Sequence, residues 1–383
     1  MRIDRRILRS FDWALFCSIL LIPSLGLVVL YSAGYDPEET QSVFSWLPWG
    51  SHSPAFARQL FFVVCGLAAM LLGALIPYTF FQRYAYLFYA GCIILLGLVL
   101  IVGVEAKGAH RWLSLAGFTF QPSEMMKFGV ILALARYLSK TPPPPGGYDF
   151  LSVVPPCLIF LLPMGLVMAQ PDLGTALAIG GVGFCMVLFV GIRWRVLATF
   201  SVVLPLVAFS AWHWVLRPYQ KMRVLVLFNP EADSLGSGYH IIQSMIAVGS
   251  GNFFGKGFMQ GTQTRLEFLP EHTTDFIFSV LAEEWGFAGC LLVICAFICL
   301  IYFMIRVVLR SRELYAAFLA FGVSSQIFLN ALINIGMVVG LLPVVGIPLP
   351  LFSYGGTSMI STMFALGIVM GVHMRRMIFA GNQ

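Results

Sequence analysis

Apolar runs long enough to cross a lipid bilayer recur along the whole of this chain, at roughly 12–32, 58–76, 83–103, 121–138, 152–169, 173–191, 195–215, 276–305, 314–340 and 353–373. About 20 helical residues span the roughly 30 Å of hydrocarbon. With no water to bond the backbone there, a helix satisfies every internal N–H and C=O by itself. These runs predict an all-α integral membrane protein with about ten transmembrane helices, forming one polytopic domain over residues 1–383. Composition excludes the soluble alternative, because 59% of the residues are hydrophobic and only 10% are charged, against about 25% in soluble domains. The first run follows Arg2, Arg5, Arg6 and Arg9 as a secretory signal would. Its apolar stretch is too long for one, so it reads as a retained anchor helix.

Lys and Arg near span ends set the orientation. One side of the membrane collects Arg2, Arg5, Arg6, Arg9, Arg83, Arg136, Lys140, Arg193, Arg195, Arg306, Arg310, Arg312, Arg375 and Arg376. The other has Arg58, Lys107, Arg111, Arg217, Lys221, Arg223, Lys256 and Arg265. Both termini are therefore expected on the cytoplasmic side, and the formal charge of +6 reflects topology and not nucleic-acid binding. The eight cysteines all fall in apolar runs, without the paired spacing of a disulfide framework or a metal site.

Most connections are short. The exception is the stretch over 216–275, a large extracytoplasmic loop between the seventh and eighth spans, where function is expected to concentrate. Within it, Ile241, Ile242, Met245 and Ile246 share one face of a predicted helix, lying on the membrane surface or packed on the bundle. The glycine-rich run 249–257 resembles a nucleotide loop but fails the pattern, since Ser250 stands at the first glycine position and Gly257 at the Ser/Thr position. Tight backbone turns are the expected use of those glycines, with Lys256 available to a phosphate.

Ionisable groups inside spans cost about 2.5–3.5 kcal/mol each on insertion scales, so each needs a reason. Glu124 and Lys127 sit three apart at the start of the fourth span and share a helix face. They read equally as a self-neutralising pair or as a cation aimed at a phosphate. Asp172, just before the sixth span, reads as an N-cap that also faces the outer cavity. Asp275 opens the eighth span, where the helix dipole favours an anion by about 0.3–1 kcal/mol. Glu283 and Glu284 point about 100° apart and cannot serve one partner.

Taken in order, GYHIIQS (238–244), AVGSG (247–251), GKG (255–257), GTQ (261–263), LEFLPE (266–271) and TDFIFSVLAEEWG (274–286) resemble the SEDS family of shape, elongation, division and sporulation proteins. KGAHRWL (107–113), QPSE (121–124), QPDLGT (170–175) and NIGMVVGLLPVVGIPLPLFSYGGTS (334–358) extend the resemblance over nearly the whole chain, and PVVGIPLP (343–350) looks like its rod-shape (RodA) branch. The resemblance implies a peptidoglycan glycosyltransferase that polymerises lipid II during cell elongation, beside a class B penicillin-binding protein and other elongation-complex membrane proteins. It places the essential acid on Asp275 and substrate-binding roles on Glu124, Lys127, Arg111, Trp112, Gln170, Asp172, Gln243, Glu271 and Ser353, with Pro270 and Glu283 as further motif positions. Arg223 and Lys256 join Lys127 and Arg111 as cations for the leaving diphosphate. A divalent cation such as Mg2+, bridging the diphosphate to Asp172 or Glu271, is compatible with this chemistry, although no ligand cluster demands one. Two departures stand out: His272 lies one place early relative to the family's His-Thr-Asp, and Asn252 replaces a usual glycine. A flippase for the lipid-linked precursor and a pure scaffold are the competing functions. A flippase predicts charges across the midplane, whereas the polar residues here crowd one face.

Overall fold

The computed structural model describes residues 11–35, 53–106, 109–115, 118–214, 216, 218–233, 236–266, 268–269 and 271–375. The basic residues Arg2 to Arg9, Lys107, Arg217 and Arg376 lie outside them, as does the motif proline Pro270. Thirteen α-helices are described, and we number them in chain order: α1 (Trp13–Ala33), α2 (Pro54–Leu75), α3 (Tyr78–Val102), α4 (Pro122–Lys140), α5 (Val154–Ala169), α6 (Leu173–Val190), α7 (Trp194–Trp214), α8 (Pro218–Phe228), α9 (Ser237–Ser250), α10 (Thr262–Arg265), α11 (Ile277–Arg310), α12 (Leu314–Val338) and α13 (Gly356–Arg375). Among the described residues α1, α2, α3, α6, α7, α11, α12 and α13 are long and apolar enough to cross a membrane. The protein is membrane-embedded and almost entirely helical. The other two expected spans are helical but fall short of that measure, α4 because its 19 residues carry Glu124, Lys127, Arg136 and Lys140, and α5 because it has only 16 residues.

A small antiparallel meander was not anticipated. It consists of β1 (Val104–Ala106), β2 (Ala109–Leu115) and β3 (Phe118–Phe120), paired in sequence order with Glu105 opposite His110 and Leu113 opposite Phe120.

The described chain gathers into two compact units, one of residues 11–75, 223–304 and 330–375, the other of 76–222 and 305–329. In the first unit α2 and α13 pack backbone to backbone. A Cβ on Gly73 would meet the Phe364 carbonyl at 2.6 Å, and one on Gly367 would meet the Met70 carbonyl at 2.0 Å. Small residues permit this approach where no hydrophobic effect drives helices together. In the second unit α4 is the central helix, with Val130, Ile131, Ala133, Leu134 and Ala135 fully buried, whereas α7 has only Val196 buried and turns the rest of its surface outward.

Candidate active site

Asp275 is delivered by a coiled strap ahead of α11. Glu271 adopts a left-handed backbone (φ 61°), and its carbonyl accepts from Thr274 N–H (3.1 Å) and Phe276 N–H (3.3 Å). The Thr274 hydroxyl donates to Glu271 Oε2 at 3.1 Å. Left-handed non-glycine residues store strain of about 1–3 kcal/mol and cluster at functional sites. Two contacts fix the strap, one from the segment following α12 and one from α12 itself. Tyr354 N–H donates to the Thr273 carbonyl (3.0 Å), and the fully buried Asn334 donates through Nδ2 to the carbonyls of both Asp275 (2.9 Å) and Ile347 (2.8 Å). Gly346, at φ 72°, lies beneath the carboxylate, where an added Cβ would stand 3.3 Å from Asp275 Oδ2. The His272 ring is engaged with the Leu269 carbonyl at 2.8 Å. Its register one place early thus gives it a structural partner.

The segment after α12 is itself pinned. Ser353 Oγ accepts from Leu349 N–H (2.8 Å), while buried Gln59 of α2 donates to the Ser353 carbonyl (3.0 Å) and accepts from Gly355 N–H (3.1 Å). Ser353 therefore shapes the floor beneath Asp275. On α9, Gln243 is half-buried, and the neighbouring Ser244 hydroxyl donates to the Val338 carbonyl (2.8 Å). His240 packs its ring 6.0 Å from that of Phe276. Burial pushes the His240 pKa down, against the opposing pull of Glu271 and Asp233. Arg223, on α8, is half-buried.

Glu283 and Lys256 turn out to be partners. Lys256 Nζ lies 2.6 Å from Glu283 Oε1, which also accepts from Thr262 N–H (2.8 Å), Thr262 Oγ1 (2.9 Å) and Gln263 N–H (3.2 Å). The glycine-rich run docks its backbone along α11 at the same place. Lys256 and Gly257 N–H donate to the carbonyls of Glu283 and Glu284, and Phe287 and Ala288 N–H donate to those of Asn252 and Phe253, all at 2.9–3.0 Å. The helix breaks at Gly286 (φ 65°, ψ −161°) to release those donors, and a Cβ there would meet Gly255 N at 2.3 Å. Glu284 points elsewhere and accepts from Ser32 of α1 at 2.5 Å. Lys256 thereby helps to hold the loop, with its side chain 28% exposed. Asn252 fills the family's glycine position with a left-handed backbone (φ 51°), which asparagine tolerates better than most residues.

In the second unit, Lys127 and Glu124 pair at 2.7 Å, their side chains 3% and 8% exposed. Asp172 caps α6, with Oδ1 accepting from Thr175 N–H (3.1 Å) and Oδ2 from the Thr175 hydroxyl (2.9 Å) and Gln121 Nε2 (3.1 Å). Gln170 is buried and donates to the Leu96 carbonyl of α3 (2.9 Å). The turn between α5 and α6 is thus tied to α3 by Gln170 and to the start of α4 by Gln121. Arg111 and Trp112 lie on β2, Trp112 half-buried and opposite Val104. Among the described residues no three or more His, Cys, Asp or Glu side chains gather as metal ligands. Both Asp172 oxygens are already occupied.

Comparison with known proteins now decides the family. The FtsW/RodA/SpoVE family model, described as cell cycle protein, matches residues 12–378. The chain belongs to this family. Curated relatives include the peptidoglycan glycosyltransferase MrdB of Escherichia coli, 40% identical over 93% of this chain and 94% of that protein, and MrdB of Helicobacter pylori, 35% identical over 100% and 95%. Peptidoglycan glycosyltransferase RodA of Treponema pallidum is 32% identical over 96% and 98%. Among solved structures, a chain of a peptidoglycan synthase complex that coordinates polymerisation and crosslinking superposes with a TM-score of 0.80 at 33% identity, covering 96% of this chain and 98% of that one. Thermus thermophilus rod shape determining protein RodA gives 0.69 at 30% identity, over 96% and 97%.

Asn334, Gly346 and Gln59 were not singled out in the sequence. The available signal was a carboxamide inside an apolar run, as costly there as it is for any unpartnered polar group.

Proposed function

We infer that this protein is a peptidoglycan glycosyltransferase that polymerises lipid II into glycan strands during cell elongation. The observation carrying this is the pinned strap that presents Asp275 over Gly346, in a chain similar over nearly its full length to proteins named for that activity. The flippase reading is set aside, since those relatives are named for the transfer and not for transport.

Asp275 acts as the base. It takes the proton of the acceptor GlcNAc hydroxyl as that oxygen forms its bond to the donor's anomeric carbon from the face opposite the diphosphate, inverting the centre. The bond from that carbon to the diphosphate oxygen breaks, and undecaprenyl diphosphate leaves with the electron pair. A diphosphate leaves well as an anion, so no carboxylic acid partner is required. Lys127, Arg111, Arg223 and Lys256 are the cations proposed to neutralise it, and charge-assisted bonds of this kind strengthen where water is excluded. Glu124 holds Lys127 in place. Trp112, Gln170 and Gln243 complete the substrate-binding set. A divalent cation on the diphosphate would meet the protein at Asp172 or Glu271, both of which also accept hydrogen bonds from neighbouring threonines. Exhaustive chelation that leaves polymerisation unchanged removes that role.

The reaction is placed at the outer face of the bacterial cytoplasmic membrane, with both termini inside, on the distribution of Lys and Arg. A phosphatase fusion at the C-terminus that is active outside the cell overturns this placement. A class B penicillin-binding protein cross-links the product alongside other elongation-complex proteins, and co-purification with the cognate transpeptidase tests the pairing. For the reaction itself, purified lipid II is supplied to wild type and to Asp275→Ala and Asp275→Asn at matched folding. Long glycan from wild type alone is expected, and normal glycan from either variant sinks the assignment of the base.

A further inference from the structure

We propose that Asn334 is a positioning residue for the Asp275 carboxylate, with Gly346 as the surface against which the carboxylate is set; this rests on Asp275 being the base. Asn334 is fully buried in α12 and donates both amide hydrogens to main-chain carbonyls, Asp275 on the strap and Ile347 on the following turn. Both partners can only accept, so the nitrogen must face them and the orientation of the amide is unambiguous. Asn334 Oδ1 has no partner among the described residues, so the two donated bonds alone orient the side chain. One side chain thereby sets the spacing between the strap and the turn. At that spacing a Cβ on Gly346 would stand 3.3 Å from Asp275 Oδ2, close enough to press the carboxylate out of its place by a few tenths of an ångström, and in a left-handed backbone. Tyr354 N–H on the Thr273 carbonyl is a second tie between the same two segments, so the strap stays attached without Asn334 but loses its register.

The consequence is selective. A base displaced by about 1 Å from its acceptor hydroxyl can cost on the order of 100-fold in rate while substrate binding is retained. Asn334→Asp keeps the shape but cannot donate to two carbonyls, and when ionised it repels them. Gly346→Ala leaves both hydrogen bonds in place and pushes on the carboxylate from below. We therefore expect both variants, in the full chain with its cognate transpeptidase, to lose at least tenfold in kcat for lipid II polymerisation, with KM within about twofold of wild type and unchanged monodispersity in detergent. Wild-type kcat in either folded variant, or a loss confined to KM, overturns the proposal. Should Asn334→Asp fail to fold, Gly346→Ala decides alone. Asp275→Ala is run alongside: if it still polymerises, the assignment of the base has failed, whereas an inactive Asp275→Ala with normal Asn334→Asp and Gly346→Ala sinks only the positioning role.

Discussion

Removing Glu283 should release the 249–263 segment without touching Asp275. The carboxylate is fully buried and takes Lys256 Nζ at 2.6 Å, Thr262 N–H at 2.8 Å, the Thr262 hydroxyl at 2.9 Å and Gln263 N–H at 3.2 Å. Deleting one member of a buried ion pair costs about 3–5 kcal/mol, mainly because the remaining charge is stranded. The Lys256 side chain is 28% exposed, so water takes up part of its charge and the lower end, about 3 kcal/mol, applies. At about 1.4 kcal/mol per tenfold, that raises the population of the opened loop roughly 100-fold. Trypsin cleavage after Lys256 or Arg265, limited by that opening in the folded protein, should accelerate by the same factor in Glu283→Ala. Glu283→Gln should fall between, since it keeps an acceptor and loses the charge. The double variant Lys256→Ala/Glu283→Ala, followed at Arg265, should open less than Glu283→Ala because no charge is stranded. Cleavage of Glu283→Ala within threefold of wild type would refute the assignment of this pair as the clamp.

Other consequences concern single positions. Asp172→Ala removes the cap of α6 and the acceptor for Gln121, and should lower stability by about 1 kcal/mol or slightly more, read as a lower melting temperature in detergent. Asn252→Gly should be neutral to stabilising and Asn252→Val destabilising, because the residue sits at φ 51°. Burial lowers the pKa of His240, with Glu271 and Asp233 opposing. The unfolded chain therefore binds the proton more readily. The neutral-ring contribution is complete above the ordinary histidine pKa of about 6.5 and is lost as pH falls from there through the lower folded value. Melting temperatures followed from pH 7.5 to pH 5 should fall less in His240→Gln than in wild type, and parallel curves would show that the ring is not desolvated.

The helical architecture was legible because apolar runs that long have no other stable form in lipid. The same reasoning gave no warning of the β1–β3 meander, since strands of three to seven residues carry too little periodicity to separate from a connecting loop. Adjacency in sequence drew out Asp275 and the Glu124–Lys127 pair as candidates, because a charge at the start of a span announces itself. It could not show that Asn334 bonds a residue 59 positions away, or that Gln59 bonds Ser353 across 294. Those partners are set by packing, and single-sequence patterns are silent about which polar side chains a fold brings together.

The glycine-rich run shows how a local pattern acquires its meaning from a distant segment. Gly255 and Gly257 stand at φ 79° and 111°, as tight turns would require, but turn geometry alone does not explain why no side chain is tolerated. A Cβ on Gly251 would meet the Ala282 carbonyl at 1.9 Å, and one on Gly255 would meet the Glu284 carbonyl at 2.0 Å. The run lies against α11 with its backbone, and α11 answers by breaking at Gly286 so that Phe287 and Ala288 donate to Asn252 and Phe253. GSGNFFGKG and EEWG are therefore the two halves of one joint. With Glu283 holding Lys256 and Thr262 at the centre of that joint, a substitution that separates the halves should free the glycine-rich run from α11, while the strap, tied separately by Asn334 and Tyr354, keeps Asp275 in place.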